Sequence, residues 1–149
     1  MKGFIFTNFL DFVEKNNGLK MVDSMISDCD LSSDGIYSAF LSYEYKELVT
    51  LLTYVSKKTN IKQEVLLEEF GRFVFPYLIG KHSYIVKEYS NPIDLLAGIE
   101  NHIHIEVKKL YEDAELPTFS VAEKTKTSLS LIYTSSRGLT YFAIGLMKE

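Results

Sequence analysis

Hydrophobic residues recur at helical spacing through most of the first 111 residues of the chain. Within the segment 4–15, for example, Ile5, Phe9, Phe12 and Val13 share one face, because residues three or four positions apart lie on the same side of an α-helix. Polar or glycine-containing stretches separate such segments and end them. The pattern predicts helices over residues 4–15, 19–27, 43–58, 63–80 and 92–111.

Two residues interrupt the predicted helix 63–80. Pro76 has no backbone N–H to donate, so we expect a kink or a local break in the hydrogen-bond ladder there. Gly71 costs about 1 kcal/mol relative to alanine inside a helix. A glycine at this position indicates that something flat or bulky approaches the backbone closely.

After Pro117 the hydrophobic period changes from that of a helix to that of a strand. Segments 118–123 and 128–135 alternate and are rich in β-branched residues, and the polar residues 124–127 supply the turn of an antiparallel hairpin. A last helix is predicted from about Ser136 to the end of the chain. The predicted fold class is therefore α+β, with a mostly helical N-terminal body, a β-hairpin and a closing helix.

Composition is that of an ordinary soluble protein with one domain. The chain has 149 residues, 46% of them hydrophobic and 24% charged, and a formal net charge of −4. A chain of this length predicts a single domain over residues 1–149, and its acidic balance argues against nucleic acid as a partner. The longest apolar run, 73–80, is too short to span a membrane. With Cys29 as the single cysteine and no complete signal peptide, we expect a cytoplasmic protein that does not bind membranes.

Two imidazoles stand two residues apart in the predicted helix 92–111. Residues two apart on an α-helix point about 200° away from each other, so His102 and His104 cannot serve one site. An apolar stripe runs along this helix, and His104 lies beside it whereas His102 points away. His104 is therefore a candidate metal ligand, with a buried histidine bonded to a backbone carbonyl as the alternative. His82 is expected on the surface near a helix end.

A short polar motif follows the second predicted strand. In an extended strand Tyr133, Ser135 and Arg137 fall at alternate positions and project to one side. Two hydroxyls and a guanidinium form a fork for a carboxylate or phosphate; an ordinary exposed strand end is the alternative.

The 10 Phe and 10 Tyr residues either fill a core or line a pocket for a flat apolar ligand. An inward histidine, aromatic walls and a carboxylate clamp together match what haem requires.

The same residues carry a resemblance to a known family. The segments 103–111 and 113–117, followed by the motif Tyr133-x-Ser135-x-Arg137, resemble the haem-nitric oxide/oxygen binding (H-NOX) domain, in particular the bacterial stand-alone sensors related to the haem domain of soluble guanylate cyclase. The resemblance implies a helical N-terminal subdomain and a C-terminal antiparallel sheet with helices that enclose haem b. It also implies a regulatory sensor domain rather than an enzyme.

The resemblance implies roles for individual residues around the haem. His104 is implied as the iron ligand, and Pro117 as the residue that presses on the porphyrin and helps to distort it. Tyr133, Ser135 and Arg137 are implied to bind the propionates, and Gly71 to pack tightly against the cofactor. The other positions implied to contact the haem or its gas ligand are Ile5, Phe9, Val74, Leu78, Phe142 and Leu146.

One position bears on gas preference. Oxygen-binding members of the family that this chain resembles share a tyrosine on the gas-binding side of the haem, five residues after the arginine of the clamp. This sequence has Phe142 at that position. Bound O₂ carries negative charge on its outer oxygen and needs a hydrogen-bond donor, whereas ferrous complexes of NO and CO tolerate apolar walls. We therefore expect binding of NO and CO with exclusion of O₂. An O₂-binding haem sensor is the alternative.

The resemblance also implies a signalling partner. Stand-alone bacterial members typically control a histidine kinase or a cyclic-di-GMP enzyme. Release of His104 from the iron on NO binding would relax the distortion that Pro117 and Ile5 impose on the haem. A peroxidase would need distal acid–base groups, which the corresponding positions lack, and a haem-free interaction scaffold is a further alternative. Members of the family usually add strands after the last helix, whereas this sequence ends at Glu149. We therefore expect a sheet without those C-terminal strands.

Overall fold

The computed structural model describes residues 1–81 and 83–149, so the prediction for His82 lies outside the described residues. Within these ranges the chain forms eight α-helices, one π-helical segment and a two-stranded antiparallel sheet, which confirms the α+β class. None of the helices in these ranges is long and apolar enough to cross a membrane. The helices are α1 (Gly3–Asn17), α2 (Leu19–Asp28), α3 (Tyr45–Thr59), α4 (Gln63–Lys81), α5 (Ser83–Val86), α6 (Pro92–Ala97), α7 (His104–Leu110) and α8 (Thr140–Lys148); the π-helical segment is Ile99–Ile103, and the strands are β1 (Thr118–Lys124) and β2 (Leu129–Thr134).

The contacts within the chain divide it into two compact units. Residues 1–74 and 141–149 form the first, which we call the helical unit, and residues 75–140 form the second, which we call the hairpin unit. The helical unit holds α1 to α3, the first part of α4, and α8. The hairpin unit holds the remaining helices, the π-helical segment and both strands. That residues 1–149 make up a single domain stays a prediction.

Aromatic side chains fill the core of the helical unit. Phe9 on α1 is 1% exposed and packs edge-on against Phe70 of α4, with 5.1 Å between the ring centres. Phe12 lies 5.6 Å from the same ring, and Phe142 of α8 lies 5.1 Å from it. Such tilted and edge-on pairs stabilise the core beyond the area that they bury. The helical spacing read from segment 4–15 is thus confirmed as the buried face of α1.

Helices α4 and α8 approach each other closely at two glycines. A Cβ atom on Gly71 would overlap the carbonyl oxygen of Phe142, and one on Gly145 would overlap the carbonyl oxygen of Glu68. A side chain at either position would therefore push the two helices apart. The close approach that the sequence predicted at Gly71 is real, but the group that approaches is the backbone of α8. Pro76, predicted to kink or break its helix, lies inside α4, which continues through it to Lys81.

The predicted helix 92–111 is wrong as a single α-helix. Asn91 caps α6, accepting a hydrogen bond from the backbone N–H of Asp94 at 2.9 Å. The helix ends at Ala97, and the N–H of Ile103 donates to the carbonyl of Gly98 at 3.2 Å, the five-residue bond of a π-helix. Counting 100° per residue assumes regular α-helix, so the count fails across this segment.

The hairpin forms close to the predicted positions. Phe119 pairs with Tyr133, and a β-bulge between Val121 and Glu123 shifts the register, so that Lys124 pairs with Leu129. The closing helix, predicted from Ser136, begins instead at Thr140. Gly138, with φ of +63°, adopts a left-handed conformation, which delays the start of the helix.

Candidate functional site

His104 is the first residue of α7, and its side chain is more enclosed than those of His102 and Arg137. Its side chain is 13% exposed, and its Nδ1 lies 3.2 Å from Oε2 of Glu100. Burial lowers the pKa of His104, a shift that the Glu100 carboxylate opposes and the charge of Lys108 reinforces. The ring of Phe119 lies against the imidazole, with 5.8 Å between centres. These surroundings favour the neutral imidazole, which is the form that binds metals.

The contact with Glu100 bears on which nitrogen of His104 carries the proton. A neutral imidazole carries one N–H, and an Nδ1–H that donates to the carboxylate leaves the lone pair on Nε2. No hydrogen bond among the described residues involves Nε2 of His104. A porphyrin supplies its own ring of nitrogen ligands, so a single axial nitrogen of this kind fits haem iron. In the described part of the chain no three histidine, cysteine or carboxylate side chains gather to hold a bare metal ion.

His102 has a different set of contacts. Its Nδ1 lies 2.7 Å from the hydroxyl of Tyr89, and its Nε2 lies 3.7 Å from a carboxylate oxygen of Glu88. The two imidazoles therefore contact different side chains. Of the two, His104 has the Nε2 suited to an axial ligand, and its assignment to iron stays a prediction.

The three residues of the predicted clamp do not all lie in a strand. Strand β2 ends at Thr134, so Tyr133 belongs to it whereas Ser135 and Arg137 lie in the following turn. The prediction that strand alternation projects all three to one side is therefore wrong. The turn still joins the last two, because the backbone N–H of Arg137 donates to Oγ of Ser135 at 3.1 Å. Tyr133 packs against Phe119, with 5.3 Å between ring centres.

The guanidinium of Arg137 pairs with a carboxylate. One nitrogen donates to the backbone carbonyl of Glu115 at 2.9 Å, and another binds the side-chain carboxylate of the same residue. The Arg137 side chain is 17% exposed whereas that of Glu115 is 77% exposed. An arginine fork that already binds one carboxylate has the chemistry to bind a propionate. Pro117, two residues after Glu115, is half-buried.

Sequence reasoning missed Glu100 and Glu115. Glu100 precedes His104 by four residues, a spacing that brings side chains together on a helix, so this pair could have been found. Glu115 and Arg137 are 22 residues apart, and their contact depends on how the hairpin folds. No pattern in the sequence indicates it.

The remaining predicted site residues are apolar and belong to both units. In the helical unit Phe9 and Val74 are buried, and Phe142 is half-buried. Ile5 and Leu146 of the same unit are also half-buried, as is Leu78 in the hairpin unit. Their contact with a cofactor stays a prediction. The packing of Gly71 against the cofactor likewise stays a prediction; the neighbours that leave no room for a side chain there belong to α8.

Comparison with known proteins identifies the family. The family model of haem-NO-binding (HNOB) domains matches residues 2–149. The Fe(II) unliganded H-NOX protein from K. algicida is 46% identical with a TM-score of 0.95, and the match covers 99% of this chain and 80% of that one. An H-NOX protein from S. oneidensis in the Fe(II)NO state is 29% identical with a TM-score of 0.89, covering 99% and 82%. The IWP-051-bound H-NOX from Shewanella woodyi in the Fe(II)CO state is 35% identical with a TM-score of 0.83, covering 99% and 78%. The chain therefore belongs to the haem-NO-binding (H-NOX) family, whose members are haem-based gas-sensor domains rather than enzymes.

Proposed function

We propose that this domain binds haem b through Nε2 of His104, senses NO, also binds CO, and forms no stable complex with O₂. The observation that carries the proposal is the setting of His104. Its imidazole is largely enclosed, its Nδ1 lies 3.2 Å from a carboxylate oxygen of Glu100, and no hydrogen bond among the described residues involves its Nε2. Bound haem supplies the iron that takes up the diatomic gas.

The hairpin unit contributes the polar contacts to the cofactor. Arg137 and Ser135 are already joined through a backbone hydrogen bond, and the guanidinium is oriented by the carbonyl of Glu115. A carboxylate ligand would therefore meet a fork whose position is largely set before binding. In this proposal a propionate replaces or joins the Glu115 carboxylate at Arg137.

Apolar side chains account for the gas preference. A hydrogen-bond donor such as a hydroxyl stabilises bound O₂. Without that donor, the polarised oxygen atom loses its contact with water and gains no hydrogen bond in return. NO and CO lose less in the same surroundings because their ferrous complexes are less polarised. Phe9, Val74, Leu78 and Phe142 are the positions proposed to face the gas, and Ile5 and Leu146 are proposed to lie near the haem; all six carry only hydrocarbon side chains. The S. oneidensis and S. woodyi relatives have been determined as Fe(II)NO and Fe(II)CO complexes, which supports both gases as ligands.

Signalling follows from what holds His104. If NO binding releases Nε2, the imidazole keeps its contacts with Glu100 and Phe119 while α7 loses its attachment to the cofactor. A partner that contacts the two states differently would read this change. We propose a cytoplasmic histidine kinase or cyclic-di-GMP enzyme as that partner.

The absorption spectrum of the ferrous protein under argon, then air, then NO tests the proposal. We expect a five-coordinate high-spin spectrum under argon, no change in air, and conversion by NO. The His104→Ala variant should lose the spectrum of the histidine-ligated state, whereas His102→Ala, the matched control two residues away, should keep it. A stable oxy complex in air would overturn the gas assignment, and a purified protein without a Soret band would overturn haem binding.

A further inference from the structure

We propose that Glu100 is a positioning residue for His104, whose carboxylate sets the Nδ1–H tautomer and the orientation of the imidazole and thereby presents Nε2 as the ligand. The inference rests on the proposed function, since it concerns the same site. It assigns a role to a side chain outside the predicted set of cofactor contacts.

The geometry of one oxygen atom carries the proposal. Oε2 of Glu100 lies 3.2 Å from Nδ1 of His104 and 3.0 Å from the backbone nitrogen of Phe119. The backbone nitrogen of Phe119 is a donor, and Nδ1 becomes a donor when it carries the proton. A carboxylate oxygen accepts two hydrogen bonds readily, so the arrangement favours the tautomer with the proton on Nδ1.

The same contact joins the helix to the hairpin. Glu100 belongs to the π-helical segment, whereas Phe119 belongs to β1 and pairs with Tyr133 of the predicted clamp. The ring of Phe119 also packs against His104. Rotation of the imidazole would therefore break its bond to Glu100 and disturb its packing against Phe119. All these residues lie within the hairpin unit.

Burial makes the contact effective. The side chains of Glu100 and His104 are 33% and 13% exposed, so water competes for the Nδ1–H less than it would on an open surface. A carboxylate that accepts the N–H of a ligating histidine raises the electron donation of the opposite nitrogen and fixes the orientation of the ring. Glu100 should therefore strengthen the bond that Nε2 makes with iron and thereby set how readily NO releases His104.

A second carboxylate offers a matched control. Glu106 lies on α7, two residues after His104, and its carboxylate binds Nζ of Lys109. Its side chain is 22% exposed, comparable to that of Glu100. A Glu106→Gln variant therefore removes a negative charge near the ligand without removing a partner of His104.

The experiment compares Glu100→Gln, Glu100→Ala and Glu106→Gln with the unsubstituted haem-loaded protein. Exchange of the His104 Nδ1 proton with solvent is measured by ¹⁵N NMR in the diamagnetic ferrous CO complex. The iron–histidine stretching frequency is measured by resonance Raman spectroscopy in the ferrous protein, and the midpoint potential by spectroelectrochemistry.

For Glu100→Ala we expect proton exchange about tenfold faster or more, by analogy with the 10- to 100-fold losses that follow removal of such partners. The iron–histidine frequency should fall. The Fe(II) to Fe(III) ratio at a given potential should rise about tenfold, which corresponds to about 59 mV for one electron. Glu100→Gln keeps an acceptor oxygen but loses the charge, so its values should lie between those of the unsubstituted protein and Glu100→Ala. Glu106→Gln should leave all three quantities unchanged.

Each outcome decides between the two proposals. If Glu100→Ala does not fold, the near-isosteric Glu100→Gln still tests the frequency and the potential. Values for Glu100→Gln equal to those for Glu106→Gln would overturn the role of Glu100 while leaving haem binding by His104 intact. An unsubstituted protein that binds no haem would instead overturn the proposed function.

Discussion

Phe142 shows how much a single missing hydroxyl group can decide. Its half-buried ring packs 5.1 Å from that of Phe70 on the neighbouring helix, and the proposed function places it beside the bound gas. The next residue, Tyr141, carries a hydroxyl but is 43% exposed. The pair thus offers a test in which one variant adds a hydroxyl at the proposed position and the other removes one from the surface.

The Phe142→Tyr variant should bind O₂ measurably. A hydroxyl that donates to a partly charged oxygen in an apolar setting contributes about 1.5–3 kcal/mol, so we expect an O₂ affinity about 10- to 100-fold higher than that of the unsubstituted protein. Absorption spectra at increasing O₂ pressure measure this affinity. Tyr141→Phe should change nothing, and an unaltered O₂ affinity in Phe142→Tyr would show that residue 142 does not face the gas.

The residues that sequence reasoning found and missed differ in the range of their contacts. His104 was selected from local periodicity, although the helix around it is partly a π-helix, and Glu100 at four residues' distance was open to the same reasoning. Glu115 reaches Arg137 only because the segment before β1 and the turn after β2 come together. Local spacing carries no information on such a pair, so the polar neighbours of the clamp required the structure.

Helices were predicted with the right bounds where a single hydrophobic periodicity persists along the segment. Helices α1, α2 and α3 each keep one apolar face from end to end, and their predicted bounds agree with the structure to within two residues. The failures fall where the backbone changes conformation, at the π-helical bond to Gly98 and at the left-handed Gly138. Hydrophobic spacing does not report either change, because both concern the backbone rather than the side chains.

The close packing of α4 against α8 can be tested by adding a side chain at a glycine where the two helices meet. The Gly145→Ala variant should be destabilised by about 1–3 kcal/mol, the usual cost of forcing an extra carbon into a packed site, because its Cβ would overlap the Glu68 carbonyl and lie 3.0 Å from the Cα of Gly71. Denaturant unfolding measures this free energy. Gly80→Ala, also on α4 but with no atom of the described residues within 4 Å of the new Cβ, should gain about 0.5–1 kcal/mol. If the two variants changed the free energy of unfolding equally, α4 and α8 would separate at Gly145 without a cost in free energy.

Burial is distributed unevenly over the whole molecule. Among the side chains that the structure describes, every buried hydrophobic residue except Ile85 lies in the helical unit. The hairpin unit, which carries His104 and Arg137, relies on hydrogen bonds, ion pairs and half-buried aromatic rings. A region with few buried apolar contacts opens more readily, and a ligand that binds the folded form stabilises it by mass action.

Hydrogen exchange should therefore differ between the units. In the unliganded ferrous protein we expect amides of α6, α7 and β1 to exchange at least about tenfold faster than those of α1 and α3, because local opening costs less free energy. Removal of haem should widen this difference, with most of the lost protection in the hairpin unit. Mass spectrometry of peptides from both units measures the rates, and uniform protection would contradict the uneven stability inferred from burial.

The β-bulge between Val121 and Glu123 has a consequence for engineering the hairpin. The extra residue separates the pair Phe119–Tyr133, near the proposed site, from the outer pair Lys124–Leu129. Residues 125–128, in the turn beyond it, are all exposed. Because a bulge absorbs a change in register, a reporter peptide or epitope grafted into this turn could be accommodated without displacing Phe119 or Tyr133. The hairpin tip is thus a point of attachment for a label that would leave the gas sensor intact.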